Sequence, residues 1–251
     1  MAGHSKFKKI AHHKGAQDQK RANIFTKLSR ELYVAAKAGL PDPNCNARLK
    51  TAIAAAKAAN MPKDKIASAM QKATSHHEGV HYEEMRYEGY MHGGVAFIIE
   101  TLTDNKNRTS SDIRAAFHKY HGSLAENGSV SFMFSKVGII TYPLAKGLPE
   151  TFLQASMEAQ ASDCISDNEK HTIICSIEAF NDVREKFEHV FGIYEFAGII
   201  WRPNEYVTVD SEQGEQILKF VEVLEDNDDV QYVASNFKIS GGQTTATLHH
   251  K

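Results

Sequence analysis

VGIITYPLAKGLPETFLQASMEAQASDCISDNEKHTIICSIEAFNDVREKFEHVFGIYEFAGII, residues 137–200, reads as one complete folding unit. Short apolar stretches at 137–142, near 162–165, at 172–177 and at 194–200 have the length and alternation of strands. Between them, 150–159 and 181–191 space their apolar side chains three and four apart, the period of a helix packed on one face. The order strand, helix, strand, strand, helix, strand is the ferredoxin-like arrangement.

Half of a second such unit lies on each side of this stretch. Ahead of it, 84–90 and 95–102 read as strands around the turn His92-Gly93-Gly94, 111–120 as a helix with Ile113 and Phe117 inward, and 130–134 as a strand. Behind it come a strand at 205–209, a helix at 212–224 with Ile217, Phe220, Val221 and Leu224 at helical spacing, and a strand at 230–237. The pieces 95–134 and 205–237 complete one another if 136–201 is inserted between them. Upstream, Ile24, Leu28 and Leu32 with Phe25 and Ala35 mark a helix over 17–37, stopped by Gly39 and Pro41. A second helix spans 46–59, and a third opens at Pro62, a residue suited to a first helical turn. The expected class is α+β, with a three-helix domain at 1–78 and a discontinuous α+β domain made of 79–135 and 202–240. An inserted ferredoxin-like domain takes 136–201, and 241–251 is a polar flexible tail.

The 251 residues carry a formal charge of only −2, but the charge is segregated. Residues 1–75 hold 15 basic and 4 acidic side chains, a balance of +11, whereas 76–251 hold 14 basic and 27 acidic, a balance of −13. Such asymmetry points to a polyanionic partner at the basic end, with nucleic acid the leading candidate. The opening segment MAGHSKFKKIAHHKGAQDQKR places Lys6, Lys8, Lys9, Lys14, Lys20 and Arg21 in 21 residues with one aromatic, Phe7. Clustered ammonium and guanidinium groups neutralise phosphates and release counterions. Against this stands a solvated basic arm with no specific ligand. Lys27 and Arg30, one turn apart beside the apolar stripe, extend the basic face or simply solubilise the helix; Lys37 fits a helix-end charge. In the loop TDNKNRT, 103–109, Lys106 and Arg108 fall beside exposed helix-terminal amides, a place for phosphate or carboxylate. Asp104, Asn105 and Asn107 equally suit a turn, and Thr109 or Ser110 a cap.

Several function classes find no support. Cys45, Cys164 and Cys175 share no C-x-x-C spacing, which argues against a disulfide framework or a zinc knuckle. The 13 histidines form adjacent pairs such as His12-His13 rather than a ligand set, and read as surface residues. No nucleophile motif, P-loop or dinucleotide fingerprint is present, so neither an enzyme, a metal nor a cofactor is expected. Apolar runs are far short of the roughly 20 residues a membrane helix needs, and the basic start lacks the apolar core of a secretory signal. A reducing cytoplasm is the expected location.

The strings MAGHSK at 1–6, DQKR at 18–21, FTKLSREL at 25–32, NMPKD at 60–64, TLTDNKNRT at 101–109, GSVSFMF at 128–134 and LEDNDDVQYVASNF at 224–237 closely resemble the YebC/PmpR family. That family includes the mitochondrial translational activator of cytochrome c oxidase subunit I. The resemblance implies three domains with the third inserted in the second, and a transcriptional regulator that binds promoter DNA. Some members instead act in translation at the ribosome, where prolines slow peptide-bond formation, which would make ribosomal RNA the partner. It also implies nucleic-acid contacts at Lys6, Lys14, Lys20, Arg21, Lys27 and Arg30, and at Asn105, Asn107 and Arg108. The chain departs from the family pattern at Phe7, at Ala11-His12-His13-Lys14 and at Met91-His92. Oligomeric state is left open.

Overall fold

The structure, a computed structural model, describes residues 3–74 and 80–240, with side chains from residue 18 onward. The joint at 75–79 and the tail 241–251 lie outside the described residues. Three helices come first: α1 (Gly3–Ala38), α2 (Ala47–Ala58) and α3 (Lys63–Thr74). At 1.5 Å per residue α1 is about 54 Å long. It begins well before the expected residue 17, so the basic opening segment is helical backbone continuous with the apolar-striped part. Leu28, Leu32, Ala35 and Ala36 of α1 pack on Leu49, Ala52 and Ala56 of α2 and on Ile66 and Ala69 of α3. The alanines let the helix axes approach closely, as ridges of small side chains do. Asn46 fastens the first two helices together. Its Oδ1 accepts from Leu49 N at 3.0 Å, capping α2, while its Nδ2 donates to Ala35 O at 2.7 Å and Leu40 O at 3.0 Å.

Then come β1 (Glu83–Met91), β2 (Val95–Thr103), α4 (Lys106–Lys119) and β3 (Ser123–Ala125). The unit 134–203 follows, made of β4 (Phe134–Pro143), α5 (Pro149–Ala159), β5 (Asp163–Ser166), β6 (Lys170–Cys175), α6 (Phe180–Phe191) and β7 (Phe196–Pro203). After it come β8 (Val207–Val209), α7 (Ser211–Glu225), β9 (Val230–Ser235) and β10 (Phe237–Ile239). The class is α+β. Strands of the central unit take the antiparallel order β5-β6-β4-β7, that of a ferredoxin-like sheet, in agreement with the reading of 137–200. The other four-stranded sheet runs β3-β1-β2-β9 and so takes strands from both sides of Phe134–Pro203.

Each sheet buries apolar residues on both of its faces. In β2, Val95, Phe97 and Ile99 point to α4 and α7, where Phe97 meets Phe220 edge to face at 5.1 Å and Phe117 at 6.2 Å. The alternate residues Ala96 and Ile98 join Ala234, Val130 and Phe134 on the opposite face. The inserted sheet likewise divides Ile140 and Tyr142, against α5 and α6, from Ile139, Ile174 and Ile200. Tyr232 of β9 packs on both of the outer-face clusters, so the two sheets meet there. His171, expected at the surface, is fully buried and stacks on Phe152 with ring centres 4.0 Å apart. Its ring nitrogens reach Ser166 Oγ at 2.7 Å and Gly147 O at 3.2 Å, which satisfies a polar ring inside the core.

Several expectations are corrected. Residues 130–134 are not a strand, because the buried Glu88 carboxylate takes the amides of Val130 and Ser131 at 2.8 and 3.0 Å and bends the chain into a 3-10 turn at Ser131–Met133. The edge strand is β3 instead. Residues 205–209 do not enter the main sheet: β8 pairs in parallel with β10, and the place beside β3 is filled by β1. The stretch 230–237 breaks at Asn236, whose Oδ1 accepts from Ala96 N at 2.8 Å and whose carbonyl accepts from Val207 N at 2.7 Å. Finally, α4 starts at Lys106 rather than 111.

Close approach at Gly89 lets β1 sit between β2 and β3 under Phe117. A Cβ there would lie 2.5 Å from Phe117 Cζ and 2.7 Å from the Ser123 carbonyl oxygen. Gly89→Ala should therefore destabilise the fold by roughly 1–3 kcal/mol through overpacking. Equilibrium denaturation in urea measures this, and a change below about 0.5 kcal/mol would show that the sheet yields freely.

Candidate nucleic-acid interface

Two groups of residues that the sequence offers as nucleic-acid contacts, on α1 and at the start of α4, converge on one side chain. Asp229, in the turn between α7 and β9, is 2 % exposed. Arg30 Nη1 approaches its Oδ1 at 2.6 Å, and Arg108 Nη2 its two oxygens at 3.0 and 2.8 Å. Thr109 Oγ1 donates to Oδ2 at 2.7 Å and Thr103 Oγ1 lies 3.3 Å from it. Burial alone would push this carboxyl up, but the hydrogen bonds from Arg108, Thr109 and Arg30 outweigh it and hold Asp229 below the usual carboxylate range. Arg30 also donates to the Asp228 carbonyl at 2.8 Å, and Arg108 pairs with Asp104 at 2.7 Å.

The local fold explains why Arg108 arrives here. Asn105 caps α4 by accepting from Arg108 N at 3.1 Å, and its own amide donates to Thr103 Oγ1 at 2.9 Å. The loop between β2 and α4 is thus a tight cap, and Thr109 and Thr103 face inward, both buried. On α1, Asn23, Lys27 and Arg30 lie at i, i+4 and i+7 and so share a face. That face covers the end of α7, whose last carbonyls carry the negative end of the helix dipole. Lys27 Nζ donates to the Glu225 carbonyl and Asn23 Nδ2 sits 3.4 Å from that of Asp226. Lys20 pairs with Glu222 at 2.7 Å, which raises its pKa chiefly through that hydrogen bond.

Lys20, Lys27, Arg30 and Arg108 therefore meet acids and carbonyls of the chain's own acidic part. Lys27, 4 % exposed, is not available to a phosphate in this arrangement. Lys106 pairs with Glu83 at 2.6 Å at the surface, and Asn107 is exposed on the first turn of α4. Arg21 is exposed, with its guanidinium 5.2 Å from the Phe25 ring centre, a ring that Lys65 Nζ approaches at the same distance. Lys6, Lys8, Lys9 and Lys14 lie on the backbone of α1, but their side chains fall outside the described residues. Sequence reasoning gave no role to Asp229 or Thr103 and offered Thr109 only as a cap. Asp228-Asp229 is visible in the sequence as an acidic pair, but its basic partners sit 121 and 199 residues away, a separation no local pattern reports.

Burial dominates at Lys27 and pushes its ammonium down from 10.5 to about 8, against the pull of Glu225, Asp228 and Asp226. Between those two values the unfolded chain binds more protons than the folded one, so this residue makes stability rise with pH across the window. Below about 8 it is charged in both states and its burial cost is constant. Wild-type protein should thus gain stability between about pH 8 and 10 relative to Lys27→Met. Paired urea titrations at several pH values test this, and parallel pH profiles for the two proteins would contradict it.

Among the described residues no helix is long and apolar enough to cross a membrane. A crystal structure of a conserved hypothetical protein from Aquifex aeolicus is similar to this chain, with 39% sequence identity and a TM-score of 0.82, covering 89% of this chain and 93% of that one. Residues 5–76 match the model of the TACO1/YebC protein N-terminal domain. Residues 82–237 match that of the TACO1/YebC second and third domain, and together the two matches show that the chain belongs to the TACO1/YebC family.

Proposed function

We propose that this protein is a nucleic-acid-binding, non-enzymatic regulator of gene expression, in the first instance a DNA-binding transcriptional regulator. The observation that carries this reading is the division of α1. Lys20, Lys27 and Arg30 are engaged by the acidic part of the chain, whereas the stretch ahead of the junction carries Lys6, Lys8, Lys9 and Lys14 against the single acid Asp18. That stretch is backbone-continuous with the anchored half, so the helix holds a basic segment on a fixed base. An α-helix fits the major groove, and four lysines are a sufficient source of phosphate contacts. The outer faces of the two sheets meet one another, which removes the sheet surface that RNA-recognition modules use to stack bases. Helix and loop are the remaining contact elements.

A ribosome-associated, RNA-binding translation factor is the second reading. An exposed aromatic ring at Phe132 favours it, since unpaired nucleotides offer base faces that duplex promoter DNA does not.

Replacing Lys6, Lys8, Lys9 and Lys14 together with Gln leaves the Asp229 junction intact. If these lysines bind phosphates, the dependence of affinity on salt should flatten by about 0.7 to 0.9 of a log-log unit for each phosphate no longer neutralised. A salt series on duplex DNA and on structured ribosomal RNA measures it. Flattening on the duplex supports the first reading, flattening on RNA alone the second, and an unchanged slope on both would overturn the proposal.

A further inference from the structure

The turn between β3 and β4 exposes an aromatic ring on an unusually well-fixed backbone. Phe132 is 73% exposed, while Val130 and Phe134 on either side of it are 0% and 5% exposed. A chain that buries its flanking apolar residues and leaves one ring outside is not simply short of core volume. The frame beneath the ring is determined from several directions. Fully buried Glu88 accepts from Val130 N and Ser131 N, and Arg86 Nε stands 3.0 Å from its other oxygen. Tyr90 OH donates to the Ser129 carbonyl at 2.5 Å, and Met133 N to that of Val130 at 2.9 Å. From the far side, Asn204 N donates to Met133 O at 2.9 Å and Asn204 Nδ2 to Phe132 O at 3.2 Å. One oxygen of this buried carboxylate accepts both amides, and these bonds hold a turn whose tip is an exposed ring.

A ring whose backbone is already fixed loses little further freedom on binding, the property of an aromatic anchor. The side chain bonded to the Phe132 carbonyl, Asn204, is polar and in turn meets Ser135 Oγ at 2.6 Å. Arg202 lies opposite Ser135 in the β4–β7 ladder, and Asn204 is itself exposed. Tyr206, two residues on, is 37% exposed. An apolar partner surface would meet the polar groups of Asn204 and Ser135 at this turn, whereas a nucleotide offers a flat π-face to the ring.

We propose that Phe132 is a stacking site for an unpaired nucleobase, a second nucleic-acid contact separate from the basic helix. This rests on the nucleic-acid reading above and restricts this one site, not the basic helix, to single-stranded segments.

Stacking releases no counterions, so its signature differs from that of the lysines. Phe132→Ala should weaken binding of a single-stranded oligonucleotide by roughly 5- to 100-fold with an unchanged salt slope, and leave binding of the matching duplex unaltered. Phe132→Trp should retain affinity, and in a Trp201→Phe background its fluorescence should be quenched on binding. The four-lysine Gln variant, run beside them, separates stacking from phosphate binding. Should that variant flatten the salt slope while Phe132→Ala binds single strands like wild type, the stacking site is overturned and the nucleic-acid reading stands. Absence of single-strand binding by the wild type overturns the site as well. Undiminished oligonucleotide binding by Phe132→Ala together with abolished co-sedimentation on ribosomal particles would assign the ring to a protein surface and equally overturn the proposal.

Discussion

A buried carboxylate cannot stay charged in a protein interior unless cations and hydroxyls surround it, and Asp229 satisfies that requirement with groups from three parts of the chain. Arg30 brings the first helix, Arg108 and Thr109 bring α4, and the aspartate itself fixes the turn from α7 into β9. Removing Asp229 would leave the largely buried Arg30 without its carboxylate, and breaking a buried pair costs about 3–5 kcal/mol. The basic module is consequently held in one orientation on the acidic part. The cations closest to the junction serve as capping groups for α7.

The two sheets impose the second constraint. Ferredoxin-like sheets normally keep one face for helices and leave the other to solvent or ligand. Here Ala96, Ile98 and Ala234 on one outer face and Ile139, Ile174 and Ile200 on the other are both buried, with Tyr232 against each and Trp201 Nε1 donating to Glu100 at 2.8 Å beside them. Sheet chemistry is thereby used for assembly. Phe132 stands on a turn of the α+β part and is exposed.

The central βαββαβ unit was legible because its strands and helices are set by local apolar period, which the sequence displays directly. Ile217, Phe220, Val221 and Leu224 announced α7 for the same reason, and all four are buried. The misreadings share a different cause. Residues 130–134 carry a strand-like pattern, yet Glu88, more than 40 residues earlier, claims their amides. Asn236 interrupts an apolar run by bonding Ala96, and Asn105 starts α4 five residues early by capping it. In each case one polar side chain, not a period, set the boundary. At the site, the cations were visible and their partners were not. Lys27 and Arg30 look in sequence like any solvated helix face, and only the packed α7–β9 turn shows that they are spent internally.

The Arg30–Asp229 contact couples the helical module to the α+β part rather than merely accompanying it, and the rest of the account depends on that coupling. A double-mutant cycle with Arg30→Ala, Asp229→Ala and the combined variant, read by equilibrium denaturation, isolates it. A coupling energy of about 1.5–3 kcal/mol, the range for hydrogen bonds to charged groups, is the expected result. Additivity of the two substitutions within about 0.3–0.5 kcal/mol would contradict it and show that the junction is held by something other than this buried charge.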